Sequence, residues 1–291
     1  MSQTEQHCAC DPSNLVMLPV RGFGLAVDPS GLVPAPAPVL TCRERVDRDM
    51  HIYINGNLET SGDGLGPETA VKGYADAVLA LSKYDGCNQH AAHLHFLSLE
   101  DTEATYPDFT VFSNTYSTFT SLRISGESYE TTHLGVCSFQ MGTVIAVSEV
   151  SMRSLASLGS HTSISGDVAF KANGESYAMN VNYGGCLYIL ENVNVYFHAG
   201  SCTAYMKITS SMMLLCENSK FHTIGSIVAS VAFLYVQYNG SITIGNTVDF
   251  SGCTSVLGRK YYLMGLSYIN SNGTTLPGTQ APMLETGSIY V

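Results

Sequence analysis

Gly184-Gly-Cys-Leu-Tyr-Ile-Leu-Glu-Asn-Val-Asn-Val-Tyr-Phe-His-Ala-Gly200 decides the fold, together with Ala204-Tyr-Met-Lys-Ile-Thr-Ser-Ser-Met-Met-Leu-Leu-Cys-Glu-Asn-Ser-Lys-Phe-His-Thr-Ile-Gly225 and Ala232-Phe-Leu-Tyr-Val-Gln-Tyr-Asn-Gly-Ser-Ile-Thr-Ile-Gly245. Leu190-Glu191-Asn192 and Cys216-Glu217-Asn218 lie 26 residues apart (217 − 191), each with an apolar run before it and another after it. A period in the twenties made of strand-sized pieces is the signature of a solenoid. Each piece is too short to bury its own apolar face, so successive turns of chain must stack and close a continuous core. The expectation is an all-β fold, a parallel β-helix.

Working outward, the composition agrees. Of 291 residues 45% are hydrophobic, enough for a large core, while only 13% are charged and Trp is absent. A net charge of −11 with 13 Lys and Arg argues against a nucleic-acid partner, whose phosphates need basic side chains. The N-terminus has neither the basic flank nor the apolar core of a secretory signal, and Ile224–Val236 is too interrupted to span a bilayer. The reading is a soluble protein made in a cytosol, without membrane insertion. Nine cysteines at irregular spacings, several inside strand-like runs, read as free thiols acting as small core hydrophobes.

Residues 1–47 depart from the pattern. Leu15-Val-Met17-Leu and Leu25-Ala-Val27 are short apolar runs, and Val33-Pro-Ala-Pro-Ala-Pro-Val39 reads as an extended spacer. The segment is expected to be an attachment arm that docks on a partner through Leu15, Met17, Leu25 and Val27, or else an arm folded back on its own domain. Residues 48–291 then form the capped β-helix. His51-Ile-Tyr-Ile54 alternates like a strand and ends at the turn pair Asn55-Gly56; Ser61-Gly-Asp-Gly-Leu-Gly-Pro67 is loop. From Glu68 to Ser82 the residues Val71, Tyr74, Ala75, Val78 and Leu79 fall at helical spacing, which predicts a helix that caps the open end of the solenoid. The serine-rich run Ser148–His161 reads as a loop inserted between strands.

The order Ile52-Tyr-Ile-Asn-Gly56, Gly62-Asp-Gly-Leu-Gly-Pro67, a helix ending in Lys83-Tyr-Asp-Gly86 and the strand His93-Leu-His-Phe-Leu97 resembles the opening of the β-helical domain of tailed-phage tail fibre and tailspike proteins. Pro277-Gly278 and Gly287-Ser-Ile-Tyr290 are similar to the way such domains finish. The resemblance covers about residues 50–291, though the large C-terminal trimerising or chaperone domain usual in that family has no counterpart here. It implies right-handed coils, a homotrimer, and a structural role in the virion tail. The arm would meet other tail or baseplate proteins, and the solenoid a host surface glycan or protein. The alternative on the same fold is a polysaccharide depolymerase of the hydrolase or lyase type.

Candidate chemistry is sparse. Glu191 and Glu217 occupy matching places in successive coils, so stacking brings them to about 5 Å, near the separation of a retaining glycosidase pair. Each is followed by Asn, however, and a Glu-Asn at a coil corner also reads as a turn device. Asp167 and Asp249 are alternative carboxylates. His93 and His95 alternate around Leu94, so their rings share one face of a strand. Three copies of that pair on a threefold axis would offer six nitrogens to a metal; otherwise they are two polar residues on a solvated face. His7, Cys8 and Cys10 make a compact soft-ligand group short of a closed zinc site. No nucleotide loop or serine nucleophile elbow is present, and no cofactor is expected.

Overall fold

The computed structural model describes residues 43–291, with a compact unit running from Arg45 to Val291. Nearly all of the proposed arm, including Leu15, Met17, Leu25 and Val27, lies outside the described residues, as do His7, Cys8 and Cys10. The unit is a parallel β-solenoid. As the chain advances it alternates between a ten-stranded and an eleven-stranded sheet, with parallel pairing throughout both. The 26-residue spacing is one full coil: Cys186 pairs with Met212 in the first sheet and Asn194 with Lys220 in the second.

Alternation within each strand builds the core. In Cys186–Ile189 and Met212–Leu215 the side chains of Leu187, Ile189, Met213 and Leu215 point inward with no exposure, and the residues between them face out. Register sets Phe170 on Phe197, and a diagonal contact carries the stack on to Phe221. Phe170, Phe197, Phe221 and Phe250 form an interior column with ring centroids 5.9, 6.4 and 4.6 Å apart. Cys137, Cys202 and Cys253 are buried and free, as small core hydrophobes should be, and burial pushes the Cys202 and Cys253 thiols up to about 12.

A solenoid leaves a naked strand at its end, whose unpaired backbone groups invite aggregation. Here the outer edge of the first strand, Met50–Ile54, is closed by the glycine-rich loop after it. Tyr53 N–H donates to the Gly64 carbonyl (2.8 Å), Val71 N–H to Tyr53 O (2.9 Å) and Asn55 N–H to Val71 O (2.8 Å). The loop is held in shape by Asp63, whose carboxylate accepts from Leu65 N–H and the Thr69 hydroxyl. Gly64 sits at φ +81°, and a Cβ on Gly62 would lie 2.3 Å from the Thr69 carbonyl oxygen, so both positions require glycine.

Two expectations need correction. The helix is shorter than its apolar spacing suggests: Tyr74–Leu81 is helical, Pro67–Thr69 is a 3-10 turn, and Val71 is extended in a bridge to Ile54. The backbone demand of the first strand's edge overrides helical propensity at Val71. The buried helix face is Ala77, Ala80 and Leu81, while Leu79 is exposed. The helix does lie against the terminal strand of the eleven-stranded sheet, Phe109–Val111: Tyr74 stacks on Phe109 (4.5 Å) and its hydroxyl donates to Thr110 O. The second correction is Ser148–His161, most of which is the strand Val150–Leu158. Its serines are buried with partners: Ser154 Oγ donates to Tyr177 O, and Ser157 Oγ shares a hydrogen bond with Ser160 Oγ. Among the described residues, no helix is long and apolar enough to cross a membrane.

Candidate functional site

Met50, Ile52 and Ile54 point inward, which turns His51 and Tyr53 out; Ala92, Leu94 and Phe96 do the same for His93 and His95. In-register pairing sets His51 beside His93 and Tyr53 beside His95. The next strand adds Arg123 beside His93 and Ser125 beside His95. The result is a histidine cluster on the outer wall of the first coils. His51 Nδ1 lies 2.8 Å from His95 Nε2, and one ring nitrogen from each of the three histidines falls within 4.8 Å of the others. The rings stack, with centroids 4.4 Å apart for His51–His93 and 5.1 Å for His51–His95, and Tyr53 covers His95 at 4.9 Å.

The far sides of two rings are anchored. Ser125 Oγ is 2.9 Å from His95 Nδ1, and Asp49 Oδ2 is 3.3 Å from His93 Nε2. Asp49 is itself fixed by the Ala91 N–H, which holds its carboxyl below the ordinary range. Burial, then the neighbouring imidazoles, push His95 down to about 4; burial and His51 lower His93. These rings are neutral near pH 7, the form that donates lone pairs to a cation. The sequence pointed to His93 and His95. It missed His51 and Asp49, although the parity of His51-Ile-Tyr-Ile54 already placed His51 on the outer face.

A second outward feature runs along the eleven-stranded sheet. Tyr129, in the turn after Leu122–Gly126, reaches over the intervening coils to stack on Tyr196 (4.6 Å), and Tyr196 stacks on its register partner His222 in the next coil (5.0 Å). A parallel column pairs Tyr235 with Tyr262 (5.2 Å), below which Lys207 sits over the Tyr177 ring at 4.4 Å. These rows are absent from the sequence reading because Tyr129 lies in a turn whose neighbour is 67 positions on in the chain (196 − 129).

The candidate carboxylates land as follows. Glu191 and Glu217 are exposed at equivalent corners, two residues beyond the paired Ile189 and Leu215. The asparagines after them, Asn192 and Asn218, adopt the left-handed conformation with φ 61° and 59°, which is the turn device. Asp167 is engaged by Asn194, whose backbone N–H (2.9 Å) and side-chain amide (3.0 and 3.1 Å) both donate to it. Asp249 accepts from Ser251 N–H, and that bond, then the Lys220 and His222 charges, lowers its carboxyl. Asn194 and Lys220 stand between Asp167 and Asp249 in the same column, so the two are about 14 Å apart, outside the range of either class of glycosidase pair.

The chain matches no family model, no curated protein and no solved structure.

Proposed function

We propose that this chain is an adhesive structural solenoid of the phage tail fibre or tailspike kind, presenting its outer wall to a host envelope glycan or protein. The observation that carries the reading is the ordered rows of outward tyrosines, Tyr129–Tyr196–His222 and Tyr235–Tyr262, on a rigid β-solenoid. Tyrosine supplies broad amphipathic contact area with few rotatable bonds, and rings already fixed by stacking lose little freedom when a ligand arrives. In this reading residues 1–47 dock on another tail or baseplate protein, and three copies associate side by side.

The test is binding of the purified chain to an array of bacterial surface polysaccharides and to whole cells. Tyr196→Ala and Tyr235→Ala should each weaken binding by about tenfold or more while leaving the melting temperature within a few degrees. Binding indifferent to both changes overturns the reading. The depolymerase alternative keeps one observation in its favour, the equivalent corner positions of Glu191 and Glu217 on consecutive coils. Release of reducing ends or unsaturated sugars that disappears in Glu191→Gln or Glu217→Gln would replace adhesion by cleavage.

A further inference from the structure

We infer that His51, His93 and His95 form a binding site for one divalent first-row ion of the zinc class, carried within a single chain and tying the first strand of the solenoid to the second. The inference is independent of the adhesive reading.

The donor set is chemically selective. Three imidazoles with no carboxylate oxygen directed between them suit zinc, cobalt, nickel or copper and discriminate against magnesium and calcium. The nitrogens are also sorted by their outer partners. Ser125 occupies Nδ1 of His95, leaving Nε2 free, and that Nε2 is the atom facing His51 Nδ1 at 2.8 Å. Asp49 occupies Nε2 of His93 and leaves its Nδ1. A carboxylate behind a ligating histidine is the usual outer-shell support of a metal site: it fixes the tautomer and raises ligand basicity. Asp49 is pre-positioned for that work by the Ala91 N–H at 2.9 Å, which engages Oδ1 while Oδ2 faces His93.

Two imidazole nitrogens 2.8 Å apart, His51 Nδ1 and His95 Nε2, have room for a single proton between them. With His95 Nδ1–H donating to Ser125 Oγ, the shared proton sits on His51 Nδ1; on coordination that N–H bond breaks, an N–H bond forms at His51 Nε2 by exchange through solvent, and both rings ligate as neutral imidazoles with no net loss of a proton. Three protein ligands leave a fourth position for water, and His51, exposed on the wall, gives the ion its entry path. Residues on two neighbouring strands are thereby cross-linked where the ten-stranded sheet begins.

The experiment uses the full chain, stripped with a chelator and titrated with Zn(II) by calorimetry and with Co(II) by visible absorption; Mg(II) is the control ion. The expected result is one Zn(II) per chain at micromolar affinity or tighter, a tetrahedral Co(II) spectrum, and a melting temperature that rises with zinc and falls back on chelation. His51→Gln should lower zinc affinity by about 100-fold or more, and Asp49→Asn by about 10- to 100-fold. His51 is exposed, so its replacement leaves the core intact and decides the matter even if His95→Gln fails to fold. A chain carrying His7→Gln, Cys8→Ser and Cys10→Ser should bind as the unaltered protein does. The inference is overturned if the full chain takes up no zinc at millimolar concentration, if magnesium competes equally, or if affinity is unchanged in His51→Gln.

Discussion

Asn192 and Asn218 show how much one residue can disclose. A short side chain that tolerates positive φ, repeated at a fixed interval after Glu, marks the coil corner in the sequence itself, and both asparagines adopt that conformation. Gly62 was legible as loop, yet its closeness to Thr69 was not, because that neighbour is chosen by the way the loop folds over the first strand. Gly62→Ala should destabilise the protein by about 1–3 kcal/mol, since the added methyl meets backbone rather than a flexible side chain. Chemical denaturation of the variant checks this; an unchanged midpoint would mean that the loop shifts freely. His133 was not visible as special either. It is buried, held between Ser151 Oγ and Lys171 Nζ, and burial and then the Lys171 charge lower its pKa, as burial and the Lys171 and His133 charges lower that of His198. The Thr102 backbone hydrogen bond and then the Glu103 charge oppose the shift at His133 but do not reverse it. A depressed imidazole favours the neutral folded state, so its contribution is complete above the unfolded value of about 6.5 and is lost as pH falls through that value toward the folded one. Melting temperature should therefore drop between pH 7 and pH 5, and His133→Gln should flatten the slope. A slope identical in the variant would place the acid sensitivity elsewhere.

At the scale of elements, strands with clean alternation were legible and those with disguised alternation were not. The alternation of His51-Ile-Tyr-Ile54 emerges as the strand Met50–Ile54, whereas Val150–Leu158 is hidden by serines that occur equally in loops. Ser151, Ser154 and Ser157 belong to the strand because neighbouring coils offer them partners, which a local window cannot see. The helical spacing includes Val71 in its apolar stripe, but the first strand's edge takes that residue, so the helix buries a rotated face. The phenylalanine column supplies the clearest energetic statement at this scale. Phe197 has no exposure and meets Phe170, Phe221, Tyr205 and Phe233. Phe197→Ala should cost about 3–5 kcal/mol, the range for emptying an aromatic site in a core that only partly collapses. Denaturant titration measures it, and a loss below about 1 kcal/mol would show a far more yielding interior than the stacked geometry implies.

Across the whole molecule, the solenoid plan was legible from one repeat, but the arrangement of its outer wall was not, since that depends on which loops return to which coils. One longitudinal feature bears on assembly. Met141, Tyr183, Met212, Tyr238, Leu266 and Ile289 are exposed, and most lie near the entry to successive strands of the ten-stranded sheet. An apolar strip of this length on a chain with so few charges favours burial against further copies. A homotrimer should therefore appear in light scattering as about three times the 31.2 kDa chain mass, and Tyr183→Glu with Leu266→Glu should reduce it to single chains. A wild-type monomer at micromolar concentration refutes that assembly.

The coil that pairs Cys186 with Met212 and Asn194 with Lys220 is also a unit of measure. Removing residues 190–215 takes out 26 positions, the offset of both pairings, and sets Ile189 directly before Cys216 with each sheet still in step. Stability in a stack of nearest neighbours is a sum over interfaces, so the shortened chain should fold, melt somewhat lower and lose about 4.8 Å of length. Removing only 190–202 should leave an insoluble product, because inward and outward faces then exchange over every later strand. Reach can thus be gained or lost in whole steps, with the two ends of the protein left unaltered.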